Sequence, residues 1–442
     1  MFFTNFLCAV TLLLVWLIQW NHKWRNPRYN NGELPPGSMG LPLIGETIEF
    51  MAPTSSIDMH PFIKIRMQRY GMVFKTSLFG LQVVVSTDPE LNYFVLRQEG
   101  KIFKSFYPKT FIELFGLEDI NDLNDAKSRY LKSIILKVLG PENLKEKILY
   151  DMDEEIHKRL CLWSANESII DLKDSISTLF FDVIAKSLIS YDPSTTTIDL
   201  MRYLKGRKVV MNLLKTLLSE KMSSPRKESK DCLDLLVDEL GKENSMLTEK
   251  SALNLIFVLL IASFVSTSRT SFSDEHEAVL RNRDEPDSQI TWEEYKSMSY
   301  TQQVIKEAGR LANIVPANFR RTTKDFAING YIIPKDWIIM IYPPATHLNP
   351  QIHEDPLTFN PSRWKGKPES NCGEKNYLVF GGGMRYCVGA EFSKLEMAIF
   401  LHYFVTKCRW KDVKGGNIVR SPDLEFPDGY HIQVMPKNVG VL

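Results

Sequence analysis

A single cysteine in a glycine-opened loop, set just ahead of a long apolar run, constrains this chain more than any other feature. The loop reads Phe380-Gly381-Gly382-Gly383-Met384-Arg385-Tyr386-Cys387-Val388-Gly389. Phe392, Leu395, Ala398, Ile399 and Tyr403 follow at helical spacing, so a helix is predicted to start near Ala390. Cys387 then lies at a helix N-terminus, where unpaired N–H groups and the dipole favour an anion. That setting predicts a lowered thiol pKa and a standing thiolate. The glycines let the backbone crowd a flat group or reach positive φ. Arg385 offers a planar fork to an acidic partner. Taken alone, the stretch could equally be a buried cysteine in a glycine-rich turn.

Composition narrows the field. The chain has 442 residues, a formal charge of +1 and 44% hydrophobic residues, enough for one large core. The absence of a basic excess argues against nucleic acid as a partner. Six cysteines (Cys8, Cys161, Cys232, Cys372, Cys387 and Cys408) are scattered without a CxxC pair. Neither a zinc site nor a disulfide framework is expected, and a reducing compartment fits.

Residues 1–20 are predicted to be a transmembrane anchor, since Phe2 to Trp20 is apolar and uncharged. Lys23, Arg25 and Arg28 follow, which places the body on the cytosolic side. No basic residue precedes the run and no small-residue cleavage site follows it, so an anchor is favoured over a cleaved signal. Residues 21–45 read as a basic, proline-rich hinge containing Leu34-Pro35-Pro36-Gly37. Strands are expected over Val73–Leu78 and Gln82–Val85, and Asp88-Pro89 starts a helix. Helical patterns cover Asp125–Val138, Glu142–Leu162, Asp171–Ile189, Gly206–Lys221, Cys232–Leu240, Thr248–Thr270 and Thr301–Ala312. Thr291 to Glu294 is a capping box, and Asn329-Gly330 is a type I′ hairpin signal.

Phe380, Gly383, Arg385, Cys387 and Gly389 together match Phe-x-x-Gly-x-Arg-x-Cys-x-Gly. This resembles the haem-binding signature of the cytochrome P450 family. The resemblance implies a mainly α fold with a small β-sheet region, preceded by the anchor helix, with residues 46–442 as the catalytic domain. It implies haem b (heme b, iron protoporphyrin IX) with Cys387 as the iron ligand. It also implies that Arg320, with Arg129 or Lys132 of the 125–138 helix, meets the haem propionates. Glu307 and Arg310 match the family's Glu-x-x-Arg pair, which Arg363 completes as a structural network. By spacing alone, Glu307 and Arg310 would be only a surface ion pair. The stretches Phe319-Arg320-Arg321 and His347-Leu348-Asn349-Pro350 look most like plant microsomal members that oxidise steroids and triterpenoids.

The implied reaction is monooxygenation of a hydrophobic sterol- or triterpenoid-like small molecule. Electrons would come from an NADPH-dependent cytochrome P450 reductase, since no flavin or nicotinamide motif is visible. The implied location is the endoplasmic reticulum membrane, single-pass in membrane lipid, with the catalytic body facing the cytosol. The chain departs from the family's pattern in the central helix. Val265 stands where an acid is expected, leaving Ser266 and Thr267 as the candidate catalytic hydroxyls. The chain also looks shortened near 190–206 and 270–275. Three alternatives therefore stay open: a reductase-independent, peroxide-rearranging haem enzyme, a shortened, weak or inactive haem-binding relative, and a shortened product that never takes up haem.

Overall fold

The structure is a computed structural model. It describes residues 29–109, 112–113, 125–191, 207–223, 231–262, 276, 288–367, 375–421 and 424–437, together with 11–12, 15–16, 18–20 and 22–24. Val265, Ser266, Thr267 and Cys372, residues 192–206 and 270–275 of the stretches expected to be shortened, and most of the anchor lie outside these residues. Among the described residues, no helix is long and apolar enough to cross a membrane.

The principal helices are α1 (Pro61–Tyr70), α2 (Pro89–Arg97), α3 (Asp125–Leu139), α4 (Leu149–Ala165), α5 (Leu172–Ile189), α6 (Arg207–Ser223), α7 (Cys232–Leu240), α8 (Glu249–Ala262), α9 (Trp292–Ser297), α10 (Ser299–Ala312) and α11 (Ala390–Lys407). Local chemistry starts several of them. Asp88 accepts from the N–H groups of Glu90 and Leu91 ahead of Pro89, and Thr291 and Glu294 cap α9 reciprocally. The pattern over Glu142–Leu162 gives a broken element: a π turn at Leu144–Ile148 precedes α4. Helices α3 to α11 share one large apolar core, in which Phe181, Phe257 and Phe400 are buried.

Strands β1 (Val73–Leu78), β2 (Leu81–Ser86), β3 (Phe103–Ser105), β5 (Asn318–Thr322) and β8 (Ile338–Ile341) form one sheet in the order β1-β2-β8-β5-β3. Between β5 and β8, β6 (Phe326–Ile328) and β7 (Tyr331–Ile333) make the hairpin over Asn329-Gly330. Both turn residues have positive φ, as a type I′ turn requires. Other strands absent from the sequence expectation form two further sheets: β4 (Ile169–Asp171), β9 (Cys408–Gly415) and β12 (Tyr430–Pro436) pair in the order β4-β12-β9, and β10 (Val419–Arg420) pairs with β11 (Leu424–Glu425).

The period-2 alternation of the main sheet decides where the cysteine loop sits. Val83, Val85, Ile338 and Met340 face α1 through Phe62 and Ile63. Val84, Ile339 and Ile341 face the opposite cluster, which contains Leu91, Val95 and Leu96 of α2 and Leu378 at the entry to the loop. The sheet thus fixes α2, and α2 meets the loop. A Cβ on Gly383 would lie 2.1 Å from the Leu96 carbonyl oxygen, and Gly383 has φ +61°. Only glycine permits both that backbone and that approach.

Gly383→Ala is therefore expected to destabilise the chain by about 1–3 kcal/mol from the left-handed backbone alone, with the Leu96 clash added. Gly389, at φ −92° with nothing within 4 Å of a built Cβ, should tolerate alanine without loss of thermal stability. Thermal melts of the two variants check this; equal melting temperatures would contradict it.

Candidate functional site: the Cys387 loop

The loop is closed by its own backbone. The Cys387 N–H donates to the Phe380 carbonyl at 2.9 Å, and Tyr386 N–H donates to Gly383 O at 3.2 Å. Helix α11 begins at Ala390 with Gly389 as its N-cap, so Cys387 stands just before a helix start. The thiol is open to solvent yet walled by protein. That burial raises its pKa, and it outweighs the Gly389 N–H and the Lys132 charge, which pull the other way. The expectation of a standing thiolate is corrected: desolvation wins over the helix start.

A buried carboxylate anchors the approach to this loop. Glu307 on α10 has no exposed side-chain surface and accepts five hydrogen bonds. Arg310 gives two, from Nε at 2.9 Å and Nη2 at 2.7 Å. Arg363 Nε and Trp364 Nε1 each give one at 2.9 Å, and the Asn360 N–H gives one at 3.0 Å. Burial alone would raise this carboxyl, but the hydrogen bonds from Arg310, Asn360 and Arg363 hold it below the ordinary glutamate range. Spacing read these residues as a surface pair; the chain segment 354–364 folds over them and buries them.

The network reaches the loop through His347. Arg310 Nη1 donates to the His347 carbonyl at 2.7 Å. The His347 ring lies 2.6 Å from Asn313 Oδ1 through Nδ1 and accepts from the Leu378 N–H at Nε2, 2.9 Å away. Those partners place the proton on Nδ1. The Tyr377 hydroxyl donates to the Lys306 carbonyl, and Gly309 leaves room for Val379, so residues 377–379 lie directly on α10.

The cationic candidates separate. Lys132 Nζ lies 3.5 Å from the Tyr386 carbonyl, beside the cysteine. Arg320 is buried on β5, and Arg385 is half-buried on the loop. Arg129, one turn from Lys132, is exposed. Sequence reasoning missed Glu99, which lies 2.5 Å from Arg320 Nε and 3.5 Å from Arg385 Nε. Asn360 and Trp364, close to Arg363 in the chain, were not assigned to the network, and His347 stood in a family-like stretch with no role assigned to it.

The loop fits an anionic, flat cofactor bound through sulfur. Among the described residues, Glu99 Oε2, Arg320 Nε and Arg385 Nε are buried without an aligned hydrogen bond. Among the described residues of this cluster, Lys132, Arg320 and Arg385 outnumber the single carboxylate of Glu99. Gly389, the N-cap of α11, has open space where a Cβ would stand, so a flat group could approach its backbone closely.

Burial lowers the His347 pKa to about 3, helped by the nearby His353 and Arg310. Burial likewise lowers His353 to about 4, with Arg310 and Arg363 adding to it. Unfolded histidines take up protons near 6.5, which the folded ones refuse. Stability is therefore complete above pH 6.5 and falls below it, by about 1.4 kcal/mol per pH unit for each histidine. Melting temperatures should decline steadily from pH 6.5 to pH 4; a flat profile would show that these rings are not held neutral.

Comparisons with known proteins agree with this geometry. The cytochrome P450 family profile matches residues 166–436. Cytochrome P450 87A3 of Oryza sativa subsp. japonica is 46% identical over 98% of this chain and 91% of its own length. The beta-amyrin 16-alpha-hydroxylase CYP87D16 of Maesa lanceolata is 35% identical over 98% of this chain and 99% of its own. The cucurbitadienol 11-hydroxylase of Siraitia grosvenorii is 36% identical, with the same coverage of 98% and 99%. The structure of the retinoic acid bound cyanobacterial CYP120A1 superposes with a TM-score of 0.75 at 23% identity, covering 92% of this chain and 100% of that one. That likeness establishes the fold: mainly helical, with small sheets. With the cysteine loop and its buried carboxylate in place, these matches show that the chain belongs to the cytochrome P450 family of haem-iron monooxygenases.

Proposed function

We propose that this chain is a haem b thiolate enzyme that hydroxylates a sterol- or triterpenoid-like substrate. The observation that carries the reading is the Cys387 loop, closed by its own backbone at a helix start and ringed by Lys132, Arg320 and Arg385. The printed activities of two relatives, a beta-amyrin 16-alpha-hydroxylase and a cucurbitadienol 11-hydroxylase, support the substrate class.

Cys387 would hold the iron, and Lys132, Arg320 and Arg385 the carboxylates of the macrocycle. Bound there, haem supplies the activation of O₂ that puts one oxygen atom into a substrate C–H bond. The protein's share is orientation and insulation. Lys132 and the Gly389 N–H favour the thiolate form of Cys387. The Glu307 network keeps the loop entry rigid, so the sulfur is presented at one position. Ser266 and Thr267 are the proposed proton carriers on the substrate side, in the place where Val265 leaves no acid. Electrons are proposed to come from an NADPH-dependent cytochrome P450 reductase. Residues 1–20 are proposed to anchor the chain in the endoplasmic reticulum membrane with the body in the cytosol, on the strength of the uncharged run followed by Lys23, Arg25 and Arg28.

A second reading, an enzyme of low turnover, rests on two observations. Val265 removes an acid from the proton route. The pairing with the rice relative extends over 472 residues, more than the 442 of this chain, which supports the idea that relatives carry turns missing here. NADPH-driven product formation on a sterol and triterpenoid panel, with reductase added, tests both readings. A companion chain with the absent turns restored should hydroxylate the same substrate at least about tenfold faster, roughly 1.4 kcal/mol in barrier. Equal turnover would show that the short segments are harmless, and no product from either chain would remove the hydroxylase reading.

A further inference from the structure

Glu99 is a buried carboxylate with no place in the assignment above. It lies just beyond the C-terminus of α2 and is 5% exposed. Oε1 accepts from Ser105 twice, from the N–H at 2.8 Å and the hydroxyl at 2.7 Å. The same carboxylate contacts Arg320 and Arg385, both through Nε. Ser105 and Arg320 are register partners across β3 and β5, so the sheet fixes the carboxylate and one of its arginines together. Arg385 belongs to the loop, two residues before Cys387. Glu99 therefore joins the sheet to the cysteine loop by charge, close to where Leu96 joins them by packing.

The pairing uses only one side of each fork. Arg320 Nη1 donates to the Phe319 carbonyl at 3.0 Å, while its Nη2 meets no partner among the described residues. Neither terminal amino group of Arg385 meets a partner there; its contact is the one with Glu99. Each guanidinium is thus held at its Nε edge with donors left over. Among the described residues, this cluster sets three cations against one carboxylate and leaves two positive charges, the nearby Lys394 being paired with Glu391. Haem b carries two carboxylates.

We propose that Glu99 is a positioning residue, which grips Arg320 and Arg385 at Nε and leaves their outer amino groups set for the two carboxylates of the cofactor. This inference rests on the haem reading above. A bare counter-ion or a cap on Ser105 would stabilise the fold without discriminating among cofactors; a positioning residue acts only on a cofactor that has free carboxylates.

The full chain and its Glu99→Gln and Glu99→Asp variants would be loaded with haem or with haem dimethyl ester, in which both carboxylates are blocked. Loss of cofactor to excess apomyoglobin would then be timed. With haem, Glu99→Gln should lose its cofactor about tenfold faster than the unaltered chain, the order of one charge-assisted hydrogen bond, and Glu99→Asp should fall between. With the ester, all three chains should lose cofactor at the same rate. Should Glu99→Gln fail to fold, Ser105→Ala, which removes one donor that orients Glu99, should show a smaller acceleration confined to haem. Unchanged loss from the variants, or equal acceleration with both cofactors, overturns the positioning role alone. Failure of the unaltered chain to take up haem overturns the haem reading and this inference with it.

Discussion

The Glu307 carboxylate, buried with five donors around it, is the interaction on which the rest of this structure depends. A lone carboxylate in that position would cost several kcal/mol, and removing one partner from such a network costs about 3–5 kcal/mol. The whole network need not add net stability, since well-packed apolar side chains could do as much. It supplies a fixed arrangement. Five donors of set direction allow one placement of α10 against segment 354–364. Arg310 extends that placement to the His347 carbonyl, and the His347 ring extends it to Leu378.

The cysteine loop is consequently held from three directions. His347 and α10 fix its entry, α2 presses on Gly383, and Lys132 reaches Tyr386. What the fold does not supply is a standing thiolate. Burial outweighs the helix start and Lys132, so the thiol is raised rather than lowered. A metal ion held by Cys387 would favour the thiolate, so binding of the cofactor there would release a proton. The neighbours of Cys387 reduce the cost of that step without completing it.

Features set by local chemistry were legible in the sequence. The apolar spacing after Gly389 located the start of α11, Asp88-Pro89 the start of α2, and Asn329-Gly330 its hairpin. In each case residues within one turn decide the backbone. Features set by distant residues were not legible. Gln433 pairs with Ile169 across most of the chain, and no local pattern announces β4 or β12. Glu99 sits in an ordinary polar stretch, and its meaning comes from Arg320 and Arg385, brought beside it by the sheet and the loop. The sign of the Cys387 shift failed for the same reason. A helix start is a local signal, whereas burial sums over everything packed around the sulfur. The Glu-x-x-Arg pair was assigned through family resemblance, because spacing cannot tell a covered pair from a solvated one.

The claim that joins these parts is that the preformed loop presents the sulfur of Cys387, and no other, to haem iron. Carbon monoxide difference spectra of the reduced, haem-loaded chain test it most directly. The unaltered chain and Cys408→Ser, whose thiol is buried away from the loop, should show a thiolate-type Soret band, and Cys387→Ser should lose it. A band that survives in Cys387→Ser, or one that never forms in the unaltered chain, would contradict the account.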